Sequence, residues 1–120
     1  MIYTFNVLLM LATIVFGLIG WWAPHYTMRK LGLSLTAGTR VGLSEVRAVN
    51  GCLFVVVGVA ALLINEPLAY AMVGFMYAGA ALGRASSIVI DRSGQFLSYS
   101  FFAAELSIAL FLIFANFQGF

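Results

Sequence analysis

The sequence has very few charged residues. Only 8% of its 120 residues are Asp, Glu, Lys or Arg, whereas 63% are hydrophobic. A soluble domain of this length leaves much of its surface in water, so it could not bury so large an apolar content. We therefore expect lipid to be the solvent for most of the molecular surface.

Cysteine, histidine and basic runs are also scarce. The single cysteine, Cys52, rules out an internal disulfide, and the single histidine, His25, leaves no ligand set for zinc or haem. The net charge of +2 is scattered and forms no basic stripe that would favour nucleic acid. The sequence contains neither a phosphate-binding glycine loop nor a positioned nucleophile–base pair. We predict no cofactor, no metal and no enzymatic activity.

What the sequence does contain is four long apolar stretches. Each can reach the ~20 residues that a helix needs to cross roughly 30 Å of hydrocarbon. They predict an all-α, polytopic membrane protein, a four-transmembrane-helix bundle forming a single domain over residues 1–120. The helices are expected at about 2–23, 44–65, 68–90 and 97–117, with an interfacial connection over 24–43. The first stretch lacks a basic start and a cleavage site, so we interpret it as a retained helix rather than a signal peptide.

Several residues mark the expected helix ends. Trp21 and Trp22 have the amphipathic rings that favour the membrane interface, and Pro24 indicates a stop just beyond them. Ser44 is predicted to cap the second helix, and Pro67 is placed to begin the third.

Basic residues in the connections predict the orientation. Arg29, Lys30 and Arg40 lie between helices one and two, and Arg92 lies between helices three and four. Both connections fall on the same side of a four-helix layout, so they should be cytoplasmic, with both termini outside.

Four charges lie within or at the edge of the apolar stretches, where charge is costly. Arg84 is about 9 Å and Glu105 about 12 Å from the cytoplasmic helix ends at 1.5 Å per residue. Glu45 and Arg47 open helix two on the same side, and Asn50 shares the face of Arg47. We predict a neutral network in which Arg84 pairs with Glu105 and Arg47 pairs with Glu45 or Glu105.

This network has two interpretations. It is either an internal clamp that fixes helix register or a pocket for a polar or anionic head group. Intramembrane ionisable residues favour a functional site, but balanced charge with neighbouring partners is equally typical of a clamp.

Small residues are predicted to mediate helix packing. A stripe on helix one combines small or polar residues at three–four spacing: Asn6, Met10, Thr13, Gly17, Gly20 and Pro24. The glycines predicted to allow close helix approach are Gly17, Gly20, Gly51, Gly58, Gly79 and Gly83. The pair Gly79 and Gly83 could pack within the bundle or mediate homo-oligomerisation.

Three separated motifs carry a resemblance to a known family. They are Ser44-Glu45-Val46-Arg47-Ala48, then Gly83-Arg84, and finally Ala104-Glu105-Leu106. With this pattern the chain resembles the small bacterial four-helix membrane proteins classed as a domain of unknown function, number 4345. The resemblance implies a multi-pass protein of the bacterial inner (cytoplasmic) membrane, and it implies no activity or cofactor.

Two functional hypotheses follow. The first is a non-enzymatic membrane protein that binds a lipid-like ligand, such as an anionic membrane lipid, or a partner membrane protein through the bundle and its Glu/Arg network. The alternative is a small oligomeric transporter or channel that uses Glu105 and Arg84. In either case the protein could form a homo-oligomer or join a larger membrane complex.

Overall fold

The computed structural model describes residues 1–117, which form helices joined by connections and contain no strand. Five helices follow one another: α1 Ile2–Trp22, α2 Pro24–Leu31, α3 Val41–Ile64, α4 Pro67–Ile90 and α5 Phe96–Asn116. All except the short α2 are long and apolar enough to cross a membrane. The predicted all-helical fold class with four spans is confirmed.

The region between α1 and α3 differs in detail from the expectation. It contains α2, which begins with Pro24 in its first turn and ends at Gly32 in the left-handed conformation, φ 73°. Helix α3 begins at Val41 rather than at Ser44. The Thr39 hydroxyl accepts a hydrogen bond from the Val41 amide at 3.2 Å, so a first-turn donor is already satisfied upstream of Ser44.

The chain divides into two compact units, of which the first covers Tyr3–Leu63 and contains α1, α2 and α3. The buried residues of α1 are Asn6, Met10, Thr13, Gly17 and Gly20. These are five of the six residues of the stripe predicted from the sequence, and the sixth, Pro24, is buried in α2. Because the same face carries two glycines, α1 can approach its neighbour at main-chain distance.

Helix α3 is that neighbour. A Cβ built on Gly17 would lie 2.6 Å from the Gly51 carbonyl oxygen, and one on Gly20 would overlap the Asn50 carbonyl. A Cβ on Gly58 would lie 2.7 Å from the Ile14 side chain. The π-helical segment Ala48–Cys52 of α3 lies at this crossing. At this crossing Gly17, Gly20, Gly51 and Gly58 leave no room for a side chain between α1 and α3.

The second unit begins at Ile64 and contains α4 and α5. Pro67 starts α4, as predicted. A Cβ on Gly74 would lie 2.8 Å from Leu112 Cβ and 3.1 Å from the Ile113 amide, so the two helices are in close contact there. Their short connection makes them an antiparallel hairpin.

Polar side chains inside the spans bond to nearby main chain or to one another. Thr13 Oγ1 donates to the Leu9 carbonyl at 2.8 Å, and Asn116 Nδ2 donates to the Leu112 carbonyl at 2.9 Å. Within residues 1–117, every buried side-chain nitrogen or oxygen has a hydrogen-bond partner. Such internal satisfaction is required where lipid offers no partner.

Candidate functional site

Arg84 and Glu105 form a two-pronged ion pair between α4 and α5. Arg84 Nε donates to Glu105 Oε1 at 2.7 Å, and Nη2 donates to Oε2 at 3.1 Å. The Glu105 side chain is 14% exposed and that of Arg84 is 31% exposed. The antiparallel course of the helices brings the residues together at matching depth, and the predicted pairing is present.

The Arg84 guanidinium also contacts an aromatic ring. Arg84 Cζ lies 5.0 Å from the ring centroid of Phe101, which precedes Glu105 by one helical turn on α5. A cation at this distance is attracted by the ring quadrupole. One helix therefore supplies both the carboxylate and the ring that hold Arg84.

The ion pair leaves part of the guanidinium without a partner. Arginine has five N–H donors, and Glu105 accepts from two of them. Among residues 1–117, no further acceptor for Arg84 is present. Three of its N–H donors are therefore not used by Glu105.

Arg84 lines an open cleft of about 440 Å³ in the second unit. The lining residues come from α4, the α4–α5 connection and the start of α5: Gly79, Ala80, Gly83, Arg84, Ser87, Ser93 and Ser98. Among the described residues, no atom beyond the adjacent backbone of α4 lies within 4 Å of a Cβ built on Gly79 or Gly83. These two glycines border the cleft and do not bring α4 and α5 together, so the packing role predicted for them stays a prediction.

The serines of the cleft are linked to one another. Ser87 Oγ lies 2.9 Å from Ser93 Oγ and donates to Asp91 Oδ2 at 3.0 Å. Ser98 Oγ donates to the Ser93 carbonyl at 2.7 Å. These bonds fix the α4–α5 connection while leaving hydroxyl lone pairs at the cleft wall.

The other predicted site residues lie in the first unit. Arg47 Nη1 donates to the Trp21 carbonyl at 2.5 Å rather than to Glu45. The last carbonyls of a helix lack intrahelical partners and attract cations, which explains the choice of the α1 end. Glu45 is exposed and forms no ion pair with the described residues of its own unit. Asn50 contributes its main chain to the crossing with Gly20.

The predicted four-residue network spans both units, so it stays a prediction. Two residues near Arg84 were not anticipated: Phe101, whose ring lies beside the guanidinium, and Ser93, which lines the same cleft. Phe101 shares the α5 face of Glu105 at a spacing of four, a signal that could have identified it. Ser93 lies in the connection, where no periodicity indicates its position. Among residues 1–117, no group of three or more His, Cys, Asp or Glu could hold a metal ion.

Four long apolar helices and a polar pair inside two of them define a multi-pass membrane protein. The model of the family described as "Domain of unknown function (DUF4345)" matches residues 3–116, and the chain belongs to that family. This confirms the resemblance seen in the sequence. No curated protein and no solved structure matches the chain.

Proposed function

We propose that the chain is a non-enzymatic, multi-pass protein of a bacterial inner membrane that binds the anionic head group of a lipid in the cleft beside Arg84. The observation that carries the proposal is that Arg84, whose guanidinium is held by two hydrogen bonds to Glu105, lines an open cleft and has N–H donors that Glu105 does not use. The bacterial location is supported by the sequence resemblance, and the membrane by the four spans.

An anionic head group suits the chemistry of this cleft. The planar fork of arginine binds phosphate oxygens in pairs, and Glu105 restricts the guanidinium to one orientation before a ligand arrives. Serine oxygens can accept hydrogen bonds from head-group hydroxyls. The glycine wall at Gly79 and Gly83 leaves room for an acyl chain along α4. Because Glu105 competes for the same arginine, we expect modest affinity.

Lipid retention in native mass spectrometry tests this proposal. The purified protein is mixed with phosphatidylglycerol and phosphatidylcholine, and we expect it to retain the anionic lipid preferentially. Arg84→Gln should lower that retention about five-fold, the effect of losing one basic side chain near a membrane surface. Glu105→Gln should raise it, because the glutamine carbonyl still accepts a hydrogen bond from the guanidinium but no longer competes with the lipid through a negative charge.

A matched control is Arg92→Gln, which removes one positive charge from the same unit but does not line the cleft. It should retain phosphatidylglycerol as the wild type does. Equal retention by wild type, Arg84→Gln and Glu105→Gln would refute the proposal and leave the ion pair as a structural clamp.

We further propose that both termini lie outside the cytoplasm, since the basic connections at 23–40 and 91–95 then face inward. In a Cys52→Ala background, an impermeant thiol reagent added outside should label Glu66→Cys and not Gln95→Cys. Both positions are exposed, and Glu66 is preferable to Asn65, which accepts a hydrogen bond from Tyr70. Labelling of Gln95→Cys and not of Glu66→Cys would show the opposite topology, with both termini in the cytoplasm.

A further inference from the structure

Helix α2 presents one buried and one exposed face. Pro24, Thr27 and Met28 are its buried residues. The opposite face carries four exposed side chains with a polar or charged end: His25, Tyr26, Arg29 and Lys30. Lys30 Nζ lies 5.7 Å from the centroid of the Tyr26 ring one turn earlier. This face is basic and has no partner element in the first unit.

The charge of this face is not neutralised by its surroundings. The first 44 residues contain no Asp or Glu. The first unit, Tyr3–Leu63, holds four basic side chains and one carboxylate, a net charge of +3, whereas the chain from Ile64 onward holds two basic and three acidic side chains, a net charge of −1. Among the described residues of the first unit, neither Arg29 nor Lys30 has an ion-pair partner.

The position of α2 along the chain places it at a membrane boundary. It is separated from the span α1 by Ala23 alone, and α1 ends in Trp21 and Trp22, whose ring centroids are 4.8 Å apart. Tryptophan pairs at the end of a span are typical of the head-group level. A short helix with one basic face at that level lies where lipid phosphates are concentrated.

We propose that the exposed face of α2 is a separate binding site for the head groups of anionic lipids, with Arg29 and Lys30 as the residues that attract them. Uncompensated positive charge at the head-group level draws anionic lipid into the adjacent leaflet. The site lies in the first unit and does not depend on the Arg84 cleft.

The two tryptophans allow a direct test, because they are the only ones in the sequence and lie next to α2. The full chain is reconstituted in bilayers of fixed phosphatidylglycerol and phosphatidylcholine content, with bromine atoms placed on the chains of one lipid or the other. Brominated phosphatidylglycerol should quench the fluorescence of Trp21 and Trp22 more than brominated phosphatidylcholine does. The difference should disappear at about 1 M salt, where the screening length is only ~3 Å.

Variants identify the residues responsible. The double substitution Arg29→Gln with Lys30→Gln should equalise quenching by the two lipids. The charge-matched control Arg40→Gln with Arg92→Gln should keep the preference, as should Arg84→Gln, which separates this site from the cleft. Equal quenching by both lipids in the wild type, or an unchanged preference in the Arg29/Lys30 variant, would overturn the proposal.

Discussion

Replacing Gly20 by alanine is expected to lower the free energy of unfolding by about 3 kcal/mol, the upper end for an overpacked site. The added methyl would overlap the Asn50 carbonyl, which is main chain and cannot rotate away. Gly51→Ala should act similarly, since its Cβ would lie 2.7 Å from Trp21 Cα. Chemical unfolding of the purified protein in detergent micelles, followed by circular dichroism, measures the loss.

Gly79→Ala is the matched control, since it adds the same methyl group to a helix span. Among the described residues, no atom beyond the adjacent backbone of α4 lies within 4 Å of a Cβ built there. Alanine is also the better helix former by about 1 kcal/mol. Stability should therefore stay the same or rise. Equal destabilisation by Gly20→Ala and Gly79→Ala would contradict the close α1–α3 crossing.

The crossing has consequences beyond packing. Because Gly20 and Gly51 bring the two main chains together, Arg47 of α3 is within reach of the Trp21 carbonyl at the end of α1. The hydrogen bond from a charged donor satisfies an acceptor that lipid would leave unpaired. The end of α1 is thereby fixed immediately before α2, so the first unit holds the proposed lipid-binding face in a defined position.

The spans and the packing stripe of α1 were predictable because both depend on periodicity and composition. A helix in lipid needs an apolar run of fixed length, and residues three or four apart share a face. The sequence therefore identified Asn6, Met10, Thr13, Gly17 and Gly20 as one buried surface, and the structure confirms it. No long-range information was needed for this step.

The start of α3 and the partner of Arg47 were not predictable, because both depend on contacts between distant parts of the chain. Thr39 and Ser44 have similar capping chemistry, and only the three-dimensional course of the chain selects between them. Arg47 bonds to a main-chain carbonyl, and every residue has one, so the sequence does not single out Trp21. From charge alone, the expected partner of Arg47 was the carboxylate of Glu45 or Glu105.

The candidate site was predictable in part. Depth and charge identified Arg84 and Glu105 as partners, since few alternatives exist for a charge inside a span. The cleft beside them was not predicted. Gly79 and Gly83 are small residues on one helix face, as are Gly17 and Gly20, and that pattern predicts helix packing. In the structure α3 covers Gly17 and Gly20, whereas Gly79 and Gly83 line an opening.

Arg84→Ala is expected to lower the free energy of unfolding by about 3 kcal/mol, the lower end of the range for a broken buried ion pair. Glu105 is only 14% exposed, so removing the guanidinium leaves a carboxylate without its partner in an apolar setting. Glu105→Ala should cost a comparable amount. Both values come from chemical unfolding in detergent micelles, with Arg92→Ala as a control at an exposed arginine.

The double variant Arg84→Met with Glu105→Met separates the energy of the pair from the cost of an orphaned charge. Replacing both partners by apolar side chains of similar volume is often neutral or stabilising, so this variant should unfold close to the wild type. A deficit equal to the sum of the two single Met substitutions would show that the residues are not coupled. Lipid retention is compared in an Arg29→Gln/Lys30→Gln background, which removes the proposed α2 site. If the double Met variant is stable there and has lost phosphatidylglycerol, the ion pair serves binding rather than stability. A stable double variant that keeps the lipid in this background would refute the proposed cleft site.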